Sequence, residues 1–253
     1  MSADEALFEG FISVRAALLA ERRTLTQIWI QKNKWSKQIA FLERRAAARG
    51  IPCQRVAAEK ISERAGGQTH GGILAIGGQR QLLSLANLYD LMQEADSPWV
   101  VMLDGVEDPY NFGQAVRSLY AAGAAGLVLR ERNWLTATSI VTRASAGATE
   151  WMPTAVVDTA EVAADFFQER GFRVVTMADK GKTTRLYQAD LGQAMFVLLG
   201  GEKRGVTRSF MDKADLLLEI PYQRDFSYSL GVTAATAVLA FEVVRQRATT
   251  IAS

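Results

Sequence analysis

The pattern of apolar residues predicts an α/β protein in two parts, a small α/β module followed by a larger parallel sheet. Three observations carry this. From Trp99 onward, runs of consecutive apolar residues alternate with stretches of helical periodicity, which is how strands buried on both faces read when helices connect them. The first 80 residues show the same alternation on a smaller scale. The chain has 253 residues, 49% of them hydrophobic, which is enough material for two cores.

The elements follow in order. "FISVRAALLAER" has helical spacing and "LTQIWIQ" alternates as a strand does. "KQIAFLERRAAARG" is helical and closes on Gly50, "IPCQRVA" is a strand, "AEKISERAGG" a short helix and "GGILAIGG" a buried strand. Residues 81–97, "QLLSLANLYDLMQEADS", read as a linker helix, and Pro98 marks a boundary, so the expected parts are 1–80, 81–97 and 98–253. In the last part, strands are expected at "WVVMLD", "GLVLR", "FRVVTM", "MFVLLG" and "LLLEIPY". Helices are expected around 113–122, 138–146, 160–170, 205–213 and 229–247.

Composition narrows the chemistry. The single cysteine, Cys53, excludes an intramolecular disulfide, and the single histidine, His70, excludes the usual multi-histidine metal sites, so no metal is expected. "MSADEALFEG" carries acids where a signal peptide needs cations. No apolar run reaches the roughly 18 residues that span a bilayer. The expectation is a reduced cytoplasm without membrane contact. Net charge is +2, yet residues 1–80 hold 13 Lys/Arg against 7 Asp/Glu, and residues 81–253 hold 16 against 20. A basic front half suits a polyanion. It equally suits a solvated face of mixed charge.

Ligands of parallel sheets bind at the carboxyl ends of the strands, which directs attention to the loops after Leu103, Leu199 and Ile220. In "LDGVEDPYNFGQAVR", Pro109 stiffens the turn, Asn111 is expected to cap a helix starting near Gly113, and Arg117 falls one turn inside it. An arginine there opposes the helix dipole, and an anionic ligand would offset that. "FVLLGGEKRGVTRSF" nearly matches a P-loop, but Val206 and Thr207 stand where Lys and Ser/Thr are needed, and Glu202 would repel phosphates. Its bare backbone suits an amine, a sulfonium or an adenine edge. In "IPYQRDFSYSLGVTAATAVLAFEVVRQR", Ser229, Gly231, Thr233, Ala234, Ala235 and Thr236 open a helix with small residues, which implies a close approach there. Taken singly, these loops also read as a helix cap with a surface arginine, a tight strand-to-helix turn and a helix packed on a sheet.

Together, "LDGVEDPYNFGQAVRSLYAAGAAGLVL", "FVLLGGEKRGVTRSFMDKADLLLEIPY" and "SLGVTAATAVLAFEV" resemble the three motifs of the SpoU/TrmH-type RNA ribose methyltransferases of the SPOUT superfamily. "SAGATEWMP" also stands in its usual place. The resemblance covers residues 99–247. The module from "FEGFISVRAAL" to "GGQTHGGILAIGG" looks like the RNA substrate-binding extension of that family, similar to a small ribosomal-protein fold. The resemblance implies a deep trefoil knot in the C-terminal sheet, a rare exception to unknotted topology. It also implies S-adenosylmethionine as cofactor, a homodimer, and an RNA substrate, rRNA in preference to tRNA. Carried over by residue, the catalytic positions are Asn111, Arg117, Glu202 and Ser229. The cofactor would lie against Leu199, Gly200, Gly201, Glu202, Gly205, Ile220, Pro221, Ser229 and Leu230.

Two amides of the family pattern are replaced, by Gly201 and Gly231, and Thr233 stands where Ser is common. A guanidinium is far too weak an acid to give up its proton at neutral pH, so Arg117 reads as a phosphate clamp rather than a base. Glu202 reads as a brace for its loop. Two rival readings are a cofactor-binding RNA-binding protein that has lost catalysis, and a methyltransferase acting on a base nitrogen. His70 reads as a structural turn residue and Cys53 as inert core. Trp35 and Trp29 are candidates for stacking on bases, Trp29 equally for packing.

Overall fold

A computed structural model of the chain describes residues 5–65, 69–130, 137–178, 182–201 and 205–251. In chain order the first elements are β1 (Ala6–Glu9), α1 (Gly10–Ala20), β2 (Leu25–Gln31), α2 (Lys37–Ala48), β3 (Cys53–Val56), α3 (Ala58–Arg64), β4 (Ile73–Gly77) and α4 (Leu85–Asp90). Next come β5 (Trp99–Asp104), α5 (Pro109–Ala121), β6 (Gly126–Arg130), α6 (Thr138–Ala144), α7 (Ala148–Trp151), β7 (Thr154–Val157) and α8 (Ala160–Gln168). The chain ends with β8 (Arg173–Met177), β9 (Thr184–Arg185), β10 (Met195–Gly200), α9 (Arg208–Lys213), β11 (Leu216–Glu219) and α10 (Val232–Ile251). Two compact units result, Met1–Gln81 with Asn133–Trp151, and Leu82–Arg132 with Met152–Ser253.

In the first unit four strands lie in the order β1-β4-β2-β3. β4 runs antiparallel to both its neighbours and β2 runs parallel to β3. The alternation in β2 buries Leu25, Ile28 and Ile30 with Leu18 of α1 and Ile39 and Leu42 of α2. Trp29, on the opposite face, packs with Val56, Ile61 and Leu74, so this indole belongs to the core. His70 is buried: its Nδ1 accepts from the Gly72 amide at 3.0 Å, and its Nε2 lies 3.2 Å from Ser62 Oγ. It pins the turn before β4. Burial pushes the half-buried Cys53 thiol's pKa up, which keeps it unreactive.

Residues 137–151 also belong to this unit, tied in by ion pairs. Arg23 grips Glu150 with two nitrogens, at 2.7 and 3.1 Å, and both side chains are nearly inaccessible. Glu9 is buried against Arg143 at 3.2 Å. Burial lowers the Arg80 guanidinium to about 10, while the Glu150 charge pulls the other way.

The second unit is a parallel sheet in the order β7-β6-β5-β10-β8-β11-β9. Val100, Met102, Val128, Phe196 and Leu198 of its strands pack with Phe167 of α8 in one core. The Phe167 and Phe196 rings stack at 5.1 Å. Segment 81–97 holds only the six-residue α4, started by a bond from the Asn87 amide to Ser84 Oγ at 3.1 Å. Leu88 of that helix is fully buried, so the segment after Gln81 is built into the second unit. Among the described residues no helix is long and apolar enough to cross a membrane. Also among them, no three His, Cys, Asp or Glu residues group closely enough to hold a metal ion.

Candidate functional site

The strand order decides which loops meet. β5 and β10 run side by side with Asp104 opposite Gly200, so the chains that leave them start as neighbours. β8 pairs with β10 on one side and β11 on the other, which brings the end of β11 to the same edge.

In the first loop the helix begins earlier than its sequence suggests. Asp108, not Asn111, is the cap: its Oδ1 accepts from the Asn111 amide at 2.7 Å, and Pro109 opens the first turn, where a missing N–H costs nothing. Asn111 is half-buried two positions into α5. Arg117 therefore lies eight positions past Pro109, about 12 Å along the axis and well beyond the first turn, where the dipole would oppose it. It is exposed. Asp104, at the mouth of the loop, is clasped by Arg130 through two bonds of 2.7 and 2.8 Å, and this bond raises the pKa of the arginine.

The second loop folds back on itself. The Gly205 amide donates to the Gly201 carbonyl at 2.9 Å. A Cβ on Gly200 would lie 2.5 Å from the Gly205 carbonyl carbon, and one on Gly201 only 2.0 Å from the Gly105 carbonyl oxygen. The first and second loops thus touch backbone to backbone, which only glycine permits. The helix after this loop starts at Arg208 rather than 205, because Gly205–Thr207 close the turn and Thr207 Oγ1 caps the Phe210 amide at 3.3 Å. Glu202 lies outside the described residues.

The third loop follows Ile220 and Pro221. The Leu230 amide donates to the Tyr222 hydroxyl at 2.9 Å, which holds Ser229 and Leu230 in the loop and delays α10 to Val232. The rings of Tyr222 and Phe226 lie 6.0 Å apart, and those of Phe226 and Tyr228 5.6 Å apart. Thr236 in the first turns of α10 is buried and bonds back to the Val232 carbonyl at 2.6 Å.

The second and third of these loops border an open pocket of about 820 Å³. Leu199, Gly200, Gly201 and Gly205 line it from the second loop, and Ile220, Pro221, Ser229 and Leu230 from the third. Asn111 and Arg117 are not among the lining residues. Sequence reading missed several walls: Arg185 with Glu219, and the aromatic run Tyr222, Phe226 and Tyr228. Arg185 and Glu219 are register partners on β9 and β11 and pair at 3.8 Å, and Thr183 Oγ1 donates to Glu219 at 2.6 Å. The signal for Glu219 is a lone carboxylate closing the apolar run "LLLE". The two residues of β9 offer no periodicity to read.

Residues 98–241 match the SpoU rRNA Methylase family, and residues 7–82 match the family described as RNA 2'-O ribose methyltransferase substrate binding. The chain is 31% identical to the 23S rRNA (guanosine-2'-O-)-methyltransferase RlmB of Shewanella oneidensis over 94% of its length and 96% of that protein's. The RlmB of Pasteurella multocida is also 31% identical, with 94% and 97% covered. Among solved structures, the fold is similar to the AdoMet complex of the SpoU methyltransferase AviRb from Streptomyces viridochromogenes. The TM-score is 0.78 at 20% identity, with 96% of this chain and 91% of that one covered. An AdoMet-bound rRNA methyltransferase from Sinorhizobium meliloti gives 0.77 at 23% identity, with 95% and 87% covered.

Proposed function

The chain belongs to the SpoU rRNA methylase family, and from that premise we propose that it is an S-adenosylmethionine-dependent methyltransferase acting on a ribose 2′-hydroxyl of ribosomal RNA. The observation that carries this reading is the pocket at the ends of β10 and β11, where two loops of mostly backbone and apolar surface face each other. Its residues fit the cofactor: Gly200, Gly201 and Gly205 put bare backbone on the pocket wall, and Leu199, Ile220 and Leu230 suit an adenine ring. The bare amides and carbonyls of the second loop suit its polar edge. When bound, the cofactor supplies an electrophilic methyl group on a sulfonium.

The chain's own residues orient and exclude. Ser229 positions the hydroxyl from its own chain, Asn111 from outside the pocket wall, and the arrangement keeps the reacting centres aligned. Arg117 holds a phosphate of the nucleotide through its guanidinium. Because Arg117 lies outside the pocket of its own chain, this reading includes a homodimer in which a second copy completes the site. Exposed Tyr110 and Tyr120 of α5, at 56% and 42%, and Phe241 of α10, at 52%, support that pairing. The same reading includes a trefoil knot around the second loop, 23S rRNA guanosine as target in line with the relatives, a cytoplasmic setting, and division of labour between residues 1–80 and 98–253.

The test is to incubate the full chain with radiolabelled cofactor and total RNA and digest the product to nucleosides. Label on the ribose of guanosine is expected. Label on a base nitrogen would replace the ribose reading, and cofactor binding without label would favour the rival in which Gly201 and Gly231 mark lost catalysis.

A further inference from the structure

Trp35 is the most exposed large hydrophobic residue among those described, at 76%, and it stands in the turn between β2 and α2. An exposed indole held in place asks for an explanation, because burial supplies none. The Arg55 guanidinium lies 4.0 Å from its ring centroid. That guanidinium is itself fixed: it donates to Glu43 at 2.9 Å, to the Lys34 carbonyl at 2.6 Å and more weakly to the Gln31 carbonyl at 3.4 Å. Glu43 adds an ion pair at 2.7 Å. One face of the indole is thus backed by a planar cation while the ring stays open to solvent.

The turn that carries the ring has one sign of charge. The turn reads Lys32-Asn33-Lys34-Trp35-Ser36-Lys37, every residue of it exposed, with three lysines and no acid. The Lys34 ammonium also bonds the Gly71 carbonyl, which ties this turn to the one before β4. An aromatic ring, a stacked guanidinium and a rim of ammonium groups form the combination that single-stranded nucleic acid recognises, since every base has a π-face and every nucleotide a phosphate. A protein partner would be expected to find an apolar surround, and this ring has a cationic one.

We infer that Trp35, backed by Arg55, is a stacking platform for an unpaired base of the RNA substrate, with Lys32 and Lys37 on the flanking phosphates. This rests on the reading of the protein as an RNA methyltransferase and adds the element of RNA it grips, a single-stranded loop rather than a duplex.

The test uses the full chain and a short fluorescein-labelled oligoadenylate, with affinity measured by anisotropy at several salt concentrations. Trp35→Ala is expected to weaken binding roughly 5- to 100-fold without altering the slope of log affinity against log salt, because the indole carries no charge. Trp35→Phe recovers most of the loss, and Lys32→Ala with Lys37→Ala flattens the slope. Melting temperatures of the Trp35 variants stay at the wild-type value because the ring is exposed. Equal affinity of wild type and Trp35→Ala, or a loss that Trp35→Phe does not recover, overturns the inference. Unchanged RNA affinity with a fall in sedimenting mass assigns the ring to a contact between protein copies instead. Methyl transfer to total RNA, measured in parallel on wild type, fails separately: its absence sinks the enzymatic reading while the oligoadenylate titration still decides the platform.

Discussion

At the scale of single residues, Gly201 lies on the wall of the pocket and Arg117 lies off it. The place of Gly201 against the Gly105 carbonyl explains why the amide side chain of the family pattern is absent: the obstacle is backbone, which cannot rotate away. Gly201→Ala is expected to push the first and second loops apart and lower stability by about 1–3 kcal/mol, the usual cost of overpacking. Urea melts and calorimetric titration of the cofactor check this, with weaker cofactor binding expected. Arg117→Ala is expected to abolish methyl transfer while cofactor affinity stays within a few-fold, since Arg117 is no part of the pocket wall. Transfer of labelled methyl to total RNA, beside the same calorimetric titration, decides it, and transfer near the wild-type rate would remove Arg117 from the site. The cap on α5 shows how residue reading slips by one partner. Asp108 and Asn111 are both good caps, but Pro109 suits the first helical position, so the carboxylate three residues earlier takes the role.

At the scale of elements, strands buried on both faces were legible because nothing but a covered sheet accepts "WVVMLD" or "MFVLLG" without a polar face. Some of the short ones were not. β1 has four residues and turns straight into α1 at Gly10, with φ +79°, so its pattern merges with the helix that follows. β7 has four as well, lying between α7 and α8. Helix starts were misplaced wherever a loop bond competes, as Tyr222 does for Leu230 before α10. Within α10, Glu242 is 6% exposed and bonds Arg245 at 2.7 and 2.9 Å and Gln246 at 2.8 Å. The Arg245 bond, above all, holds its pKa below the usual carboxylate range, against the opposing effect of burial. A depressed carboxylate stabilises the fold above its unfolded pKa and loses that contribution as pH falls through the folded value. Glu242→Gln is therefore expected to be less stable than wild type at neutral pH, with the gap closing below about pH 4. Urea midpoints across that range measure it.

At the scale of the whole molecule, the order of residues and the order of packing part company. The two-part reading was visible in the sequence, but the return of residues 137–151 to the first unit was not, because a buried ion pair leaves no periodic trace. Arg23 and Glu150 are 127 positions apart. Arg23→Ala leaves the Glu150 carboxylate buried without its bidentate partner and is expected to cost about 3–5 kcal/mol, read from the urea midpoint. Glu150→Gln, which removes the charge and keeps the shape, is expected to cost less. The strand order carries a similar separation into the second unit. β10 lies between β5 and β8 and sets Met195 beside Trp99, 96 positions earlier. A chain growing on the ribosome therefore displays β5 with one bare flank and β8 with two until β10 emerges. Synthesis, more than the finished state, is when this protein is open to sticking to its neighbours.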